Sequence, residues 1–269
     1  MFPVLYQSEY LSIQTLWLFV CLALLSASYL AVHRLKRRRV NFTFFIEHST
    51  RFFLIALVSA RFIYFLSNTN AYFPRFDLRT LINFVSIWDQ GLSLWGGIFA
   101  FFLALTWSLR KNEENIWRWY DALIVPLLAG IAIGAIGAFL GGTAYGSPTD
   151  LPWGVTYQSA NVKYTVPIHP VQLYLIPLIG LLLLSKKWLK THKPLFEEDG
   201  ATALYLATGF SLIYFMLEFL RGDDTLLILG TIRFPMILSG IFFLIGAVRF
   251  AKMIKHYKPL SNESPQTTH

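Results

Sequence analysis

A few ionisable residues sit inside apolar stretches, where a charge is costly and tends to mark function. Arg61 lies within the run 50–68, with Tyr64 three residues on, on the same helical face. Glu218 and Arg221 stand at i and i+3 near the end of another apolar run, followed by Asp223 and Asp224. That spacing allows a local ion pair, or a guanidinium turned into a cavity to take a phosphate, for which its planar fork is well suited. Arg61 and Arg221 around one cavity would form a phospholipid headgroup site. His169-Pro170 opens a further apolar run, with Gln172 and Tyr174 in the first turn. The imidazole there is either a helix cap or interface anchor, or a base. Between Trp88 and Gly97, Asp89 or Ser93 can cap the following helix, and the glycines permit close approach or a kink. Gly130, Gly134, Ala138 and Gly142 recur every four residues, with Gly137 and Gly141 beside them. Small residues in that pattern bring helix backbones together in lipid, or open a cleft where a lipid or peptide touches backbone. Metalloprotease, phosphate-loop, serine-hydrolase and dinucleotide signatures are all missing, and no ligand cluster implies a metal or organic cofactor.

The elements that position these residues follow from composition. Of 269 residues, 55% are hydrophobic, 14% charged and 17% aromatic, with a mean hydropathy of +0.51. Soluble domains carry about 25% charged residues, so a soluble globular protein is excluded. The net charge of +8 does not indicate nucleic acid, because most of the basic residues form four clusters, each following an apolar run: Arg34–Arg39, Arg110–Arg118, Lys186–Lys193 and Arg249–Lys258. Such clusters are topology signals. Cys21, the only cysteine, excludes an internal disulfide. Spanning helices need about 20 apolar residues, and seven runs qualify: 12–33, 50–68, 92–109, 120–141, 169–186, 201–220 and 232–251. The expectation is an all-α integral membrane protein with seven transmembrane helices, its N-terminus outside and its C-terminus in the cytoplasm, the first run spanning rather than being cleaved as a signal peptide. Residues 1–258 would form one domain, with an interfacial segment at 71–90 and a structured outer loop at 142–168. Residues 259–269 read as a polar tail.

In this order, these segments resemble the prolipoprotein diacylglyceryl transferase family. Ser59-Ala60-Arg61-Phe62-Ile63-Tyr64 looks like its G-G-R-x-x-Y, and Trp88-Asp89-Gln90-Gly91-Leu92-Ser93 like W-x-G-G-[LM]-S. Pro152-Trp153-Gly154 looks like P-W-[GA]. His169-Pro170-Val171-Gln172-Leu173-Tyr174 is similar to R-H-P-x-Q-L-Y-E, and Glu218-Phe219-Leu220-Arg221 to E-F-[FL]-R. Pro235–Gly240 resembles the start of the family's last span. The resemblance implies transfer of diacylglyceryl from phosphatidylglycerol to the lipobox cysteine of a prolipoprotein, in the bacterial inner membrane. The partners implied are a phosphatidylglycerol-like phospholipid and a prolipoprotein signal peptide. By the same resemblance Arg221 would hold the phosphate, with Asp89 or His169 as proton acceptor. Arg61, Tyr64, Ser93, Gly137, Gly142, Gln172, Tyr174 and Glu218 would form the substrate surface. Trp95 stands where the family has histidine, Ala135 where it has arginine, Ala138 and Gly141 where it has asparagines, and Thr143 where it has glutamate. Two expectations follow: a transferase working with its remaining arginines, or a membrane protein that binds phospholipid or signal peptide without chemistry.

Overall fold

In the computed structural model the described residues are 4–7, 12–68, 82, 84–85, 91–158, 162–223, 227–228 and 232–257. Asp89, Asp224, most of the segment 71–90 and the tail 259–269 lie outside them. The described chain opens with a short antiparallel pair, β1 (Val4–Gln7) and β2 (Ser12–Gln14), and continues through α1 (Thr15–Arg37), α2 (Phe42–Leu66), α3 (Leu94–Lys111) and α4 (Ile116–Gly141). Then come α5 (Val171–His192), a 3-10 turn (Pro194–Glu197) and α6 (Ala201–Glu218). A second small pair, β3 (Leu227–Ile228) and β4 (Ile232–Arg233), leads into α7 (Phe234–His256). Apart from these two ribbons, the regular structure among the described residues is helical. Six of the seven helices, all but α3, are long and apolar enough to cross a membrane by length and composition.

Each apolar run carries one helix, and for α2, α3 and α4 a polar residue at the start caps it. Asn41 accepts a hydrogen bond from Phe44 N at 3.1 Å, Ser93 from Gly96 N at 3.3 Å, and Asn115 from Trp117 N at 3.1 Å. These caps satisfy amides that have no partner within the helix. Several helices outrun the expected spans. α2 starts at Phe42 rather than near residue 50, and α1, α5 and α7 continue into their basic clusters. Cations in a last turn oppose the helix dipole favourably, so these basic ends remain helical beyond the apolar stretch.

The helices associate mainly as α1 on α4, α2 on α3 and α6 on α7, with α5 against α4 and α6. The α1–α4 seam uses the small residues. Gly130 faces Ala27 and Ala23, Gly137 faces Phe19, and Gly141 faces Leu16. A Cβ on Gly137 would overlap Phe19. At the basic end, buried Asp121 of α4 caps α6: its carboxylate accepts from Gly200 N at 3.0 Å and Ala203 N at 2.7 Å. Arg38, at the end of α1, lies 3.7 Å from the same carboxylate. At the opposite end the described residues of the 142–168 segment make backbone hydrogen bonds to both neighbouring helices' ends. Gly142, at φ +68°, stops α4 in the left-handed conformation. Ser147 N then donates to Leu220 O at 2.8 Å, Gly222 N to Tyr145 O at 3.0 Å, and Gly146 N to His169 O at 3.1 Å. The loop therefore ties the end of α6 to the start of α5.

Candidate active site

A cavity of about 770 Å³ opens between α1, α3, α4, α5 and α6, within the range usual for ligand sites. One wall is apolar: Trp17, Val20 and Leu24 from α1 face Leu127, Ile131 and Gly134 from α4. Gly134 has nothing within 4 Å of the place a Cβ would occupy, so this glycine opens space where its neighbours Gly130 and Gly137 close it. Polarity is concentrated at the loop end, where Tyr64, Ser93, Gln172, Glu218, Arg221 and Asp223 reach the lining.

Arg221 lies at the centre of that polar end. Its Nη1 donates to Glu218 Oε1 at 2.9 Å and to Tyr214 Oη at 3.0 Å. Its Nε and Nη2 hold the two oxygens of Asp223 at 2.9 and 2.6 Å. A second guanidinium completes the cluster. Arg233, from β4, donates through Nε to Glu218 Oε2 at 2.9 Å, through Nη2 to Asp223 Oδ1 at 2.8 Å and through Nη1 to the Asp223 carbonyl at 2.9 Å. The Glu218 side chain is 0% exposed, so two cations and two carboxylates share one largely desolvated site at the cavity wall. Of the alternatives raised for Glu218 and Arg221, the ion pair is present, and Arg221 also lines the cavity. The sequence reading did not single out Arg233. Its signal was available, since Arg233 is the one charged residue between Leu226 and Arg249.

The other expected residues divide between the cavity and its supports. Ser93 and Gly142 line the cavity while capping α3 and ending α4. Gln172, 4% exposed, donates through Nε2 to Thr143 O at 2.6 Å, whereas its Oε1 has no hydrogen-bond partner among the described residues. Arg61, 2% exposed, does not reach the lining. It holds backbone carbonyls instead, Gly91 O at 2.9 Å and Phe84 O at 3.2 Å, with its cation over the rings of Phe65 and Tyr64. Tyr64 forms the wall in front of it and packs against Gly91, whose φ of +84° and lack of Cβ make room for the ring. Gly137 sits in the α1–α4 seam rather than at the cavity. His169 and Tyr174 also stay off the lining: His169 Nδ1 is 3.3 Å from Tyr174 Oη, which accepts from Trp153 Nε1 at 2.8 Å. This chain of side chains braces the loop against α5.

Of the positions that depart from the family motifs, Trp95, Ala135, Ala138 and Gly141 are apolar, in keeping with their surroundings, and Thr143 is polar. Trp95 is 4% exposed, stacked on Phe242 at 5.0 Å and edge-on to Tyr214 at 5.5 Å. It ties α3 to α6 and α7. Ala135 and Ala138 extend the apolar wall, and Gly141 packs on Leu16. Among the described residues, no group of three or more His, Cys, Asp or Glu could hold a metal ion.

Fold and site together define a multi-pass helical membrane protein with a cavity closed at one end by a guanidinium–carboxylate cluster. The chain belongs to the prolipoprotein diacylglyceryl transferase family, whose model matches residues 3–252. A phosphatidylglycerol–prolipoprotein diacylglyceryl transferase from Polynucleobacter asymbioticus is 30% identical over 188 residues, covering 66% of this chain and 70% of the relative. Those of Cupriavidus necator and Nitrosomonas europaea are 31% and 32% identical over 187 and 189 residues, covering 66% of this chain and 67% and 66% of theirs.

Proposed function

We propose that this chain is a phosphatidylglycerol–prolipoprotein diacylglyceryl transferase of the bacterial inner membrane. All seven helices span the bilayer, with the N-terminus outside, the C-terminus in the cytoplasm and the Arg221 cluster at the outer leaflet. The four basic clusters, which all fall on one side of that arrangement, support it. The observation that carries the reading is Arg221, held beside a second guanidinium at the polar end of a cavity whose remaining wall suits acyl chains.

The reaction joins the lipobox sulfur to the glyceryl carbon that carries the phosphate ester. The S–C bond forms as the C–O bond breaks, and the electron pair leaves on glycerol phosphate. Cationic donors placed where that charge develops lower the barrier. Arg221 supplies them by exchanging an internal carboxylate for the lipid phosphate, and Arg233 holds the displaced charge in place. The proton from the thiol, whose pKa is about 8.5 when free, passes to a carboxylate. Glu218 and Asp223 are the carboxylates that line the cavity among the described residues. A carboxylate that gives up its guanidinium to the phosphate becomes more basic as it is needed. His169 braces the loop that covers this end.

The experiment is complementation of bacteria depleted of their own transferase, following prolipoprotein mass. Gain of the diacylglyceryl mass is expected from the native chain and its loss from Arg221→Ala. Transfer that persists in Arg221→Ala refutes the site. No transfer by folded, inserted native chain refutes the activity and leaves lipid binding without chemistry.

A further inference from the structure

A second cavity, of about 250 Å³, opens at the basic end between the start of α4, the turn before α6 and the last turns of α7. Arg249, Lys252 and His256 stand at i, i+3 and i+7 of α7, so a single face of that helix presents all three to the cavity. Trp117 forms another wall. Its ring lies edge-on to Tyr120 at 5.9 Å and packs over Gly200, where any Cβ would overlap it, so this wall is fixed by the fold. Leu204 and Met253 supply apolar lining.

The charge of this site is not balanced from within. Asp199 reaches the lining, but its carboxylate is already engaged, accepting from Arg118 Nε at 3.2 Å and from Asn115 Nδ2 at 3.0 Å. Neither Arg249 nor Lys252 forms an ion pair among the described residues. Two full positive charges therefore face a concave site whose lining carboxylate is neutralised by a third cation. From that site an exposed apolar stripe, Val248, Ile245, Leu244 and Ile241, runs up α7 towards the middle of the bundle. Phosphate next to long apolar chains is the chemistry that matches both features. Basic pockets between spanning helices are suited to lipid phosphates, and guanidinium binds phosphate by a planar fork.

We propose that this cavity binds the phosphate headgroup of an anionic phospholipid in the leaflet at the basic end, with the acyl chains along α7. The site is separate from the cavity at Arg221. It rests on the membrane reading of the helices and not on the transferase reading.

The test uses the full chain in phosphatidylcholine nanodiscs doped with a photoreactive phosphatidylglycerol, with adducts mapped by peptide mass. A matched photoreactive phosphatidylcholine is the control. Adducts are expected between Val248 and His256 and at Trp117 with the anionic probe. In the double variant Arg249→Gln, Lys252→Gln they fall by about tenfold or more, while adducts around Trp17 and Leu24 in the other cavity are unchanged. The charge-preserving pair Arg249→Lys, Lys252→Arg keeps the labelling, which covers the case in which the neutral pair folds poorly. Equal labelling by the phosphatidylcholine probe, no fall in the neutral pair, or a comparable fall in the charge-preserving pair overturns the proposal. Loss of labelling on adding inorganic phosphate at constant ionic strength identifies a free-phosphate site instead and also overturns it.

Discussion

Arg233→Gln is the perturbation that most directly tests the cluster at the cavity. It removes three hydrogen bonds, to Glu218 Oε2, Asp223 Oδ1 and the Asp223 carbonyl, all between 2.8 and 2.9 Å. It also leaves the cluster with two carboxylates and one guanidinium. Removing one partner of a buried pair typically costs about 3–5 kcal/mol. The figure is reduced here because Arg221 still holds Glu218 Oε1 and both oxygens of Asp223, and a loss of about 2–3 kcal/mol is expected. Glu218→Gln on its own leaves the opposite excess and should cost a similar amount. The double variant leaves one guanidinium facing one carboxylate, so it should be less destabilised than the sum, with a coupling of about 1.5–3 kcal/mol. Arg233→Lys preserves charge but cannot reproduce a fork that reaches two residues at once, and about 1 kcal/mol should be lost. The assay is equilibrium unfolding in a mild detergent, run as a double-mutant cycle with prolipoprotein transfer measured on the same preparations. Additivity within about 0.5 kcal/mol would mean that Glu218 and Arg233 do not meet in the folded protein, and the phosphate-exchange reasoning would lose its second cation.

Three further outcomes are expected. Gly137→Leu should destabilise by about 1–3 kcal/mol through overpacking against Phe19, whereas Gly134→Ala, which meets no neighbouring atom, should be neutral or slightly stabilising; equal thermal shifts for the two would contradict the α1–α4 seam. Asp121→Asn keeps one acceptor but strands an amide at the start of α6 and the charge of Arg38, so about 1–3 kcal/mol should be lost. Transfer at the opposite end should continue in protein that remains folded, and a specific loss of turnover with unchanged unfolding would show that Asp121 does more than cap. In the loop between α4 and α5, burial pushes the Tyr157 hydroxyl up to about 12, with the Gln172 side chain opposing in part. An unfolded tyrosine titrates near 10, so the stability this group contributes is complete below about pH 10 and is lost as pH rises towards 12. Tyr157→Phe should remove that component from the alkaline limb of the unfolding curve; an unchanged limb would place the hydroxyl in solvent.

The helices were legible because each is a nearly uninterrupted apolar run, a pattern that depends on local sequence alone. Their ends were less so. Glu47, His48 and Arg51 break the run that α2 continues through, and a helix can extend past the bilayer wherever its charged face meets water. The limit on the site was tertiary. A charge such as Arg61 in an apolar run must find a partner, but a ligand phosphate and the carbonyls of Phe84 and Gly91 satisfy it equally well on paper, and only packing chose the carbonyls. Arg233 is in the opposite position. It lies fifteen residues from Glu218, across a connector with no period, yet it bonds both carboxylates of the cluster.

The substituted positions follow from the same tertiary logic. Trp95, Ala135 and Ala138 make the middle of the cavity apolar, which suits acyl chains and leaves little there to stabilise charge. The charge that develops on a departing phosphate must then be met at the cluster. Held by two carboxylates, Arg221 and Arg233 are neutral as a group until one carboxylate is displaced or protonated. In the proposed mechanism the lipid phosphate displaces a carboxylate from Arg221, and the displaced carboxylate, made more basic, then takes the thiol proton. A site that lacks the family's histidine can therefore couple base and electrophile in one cluster, provided the lipid phosphate reaches Arg221 before the sulfur attacks.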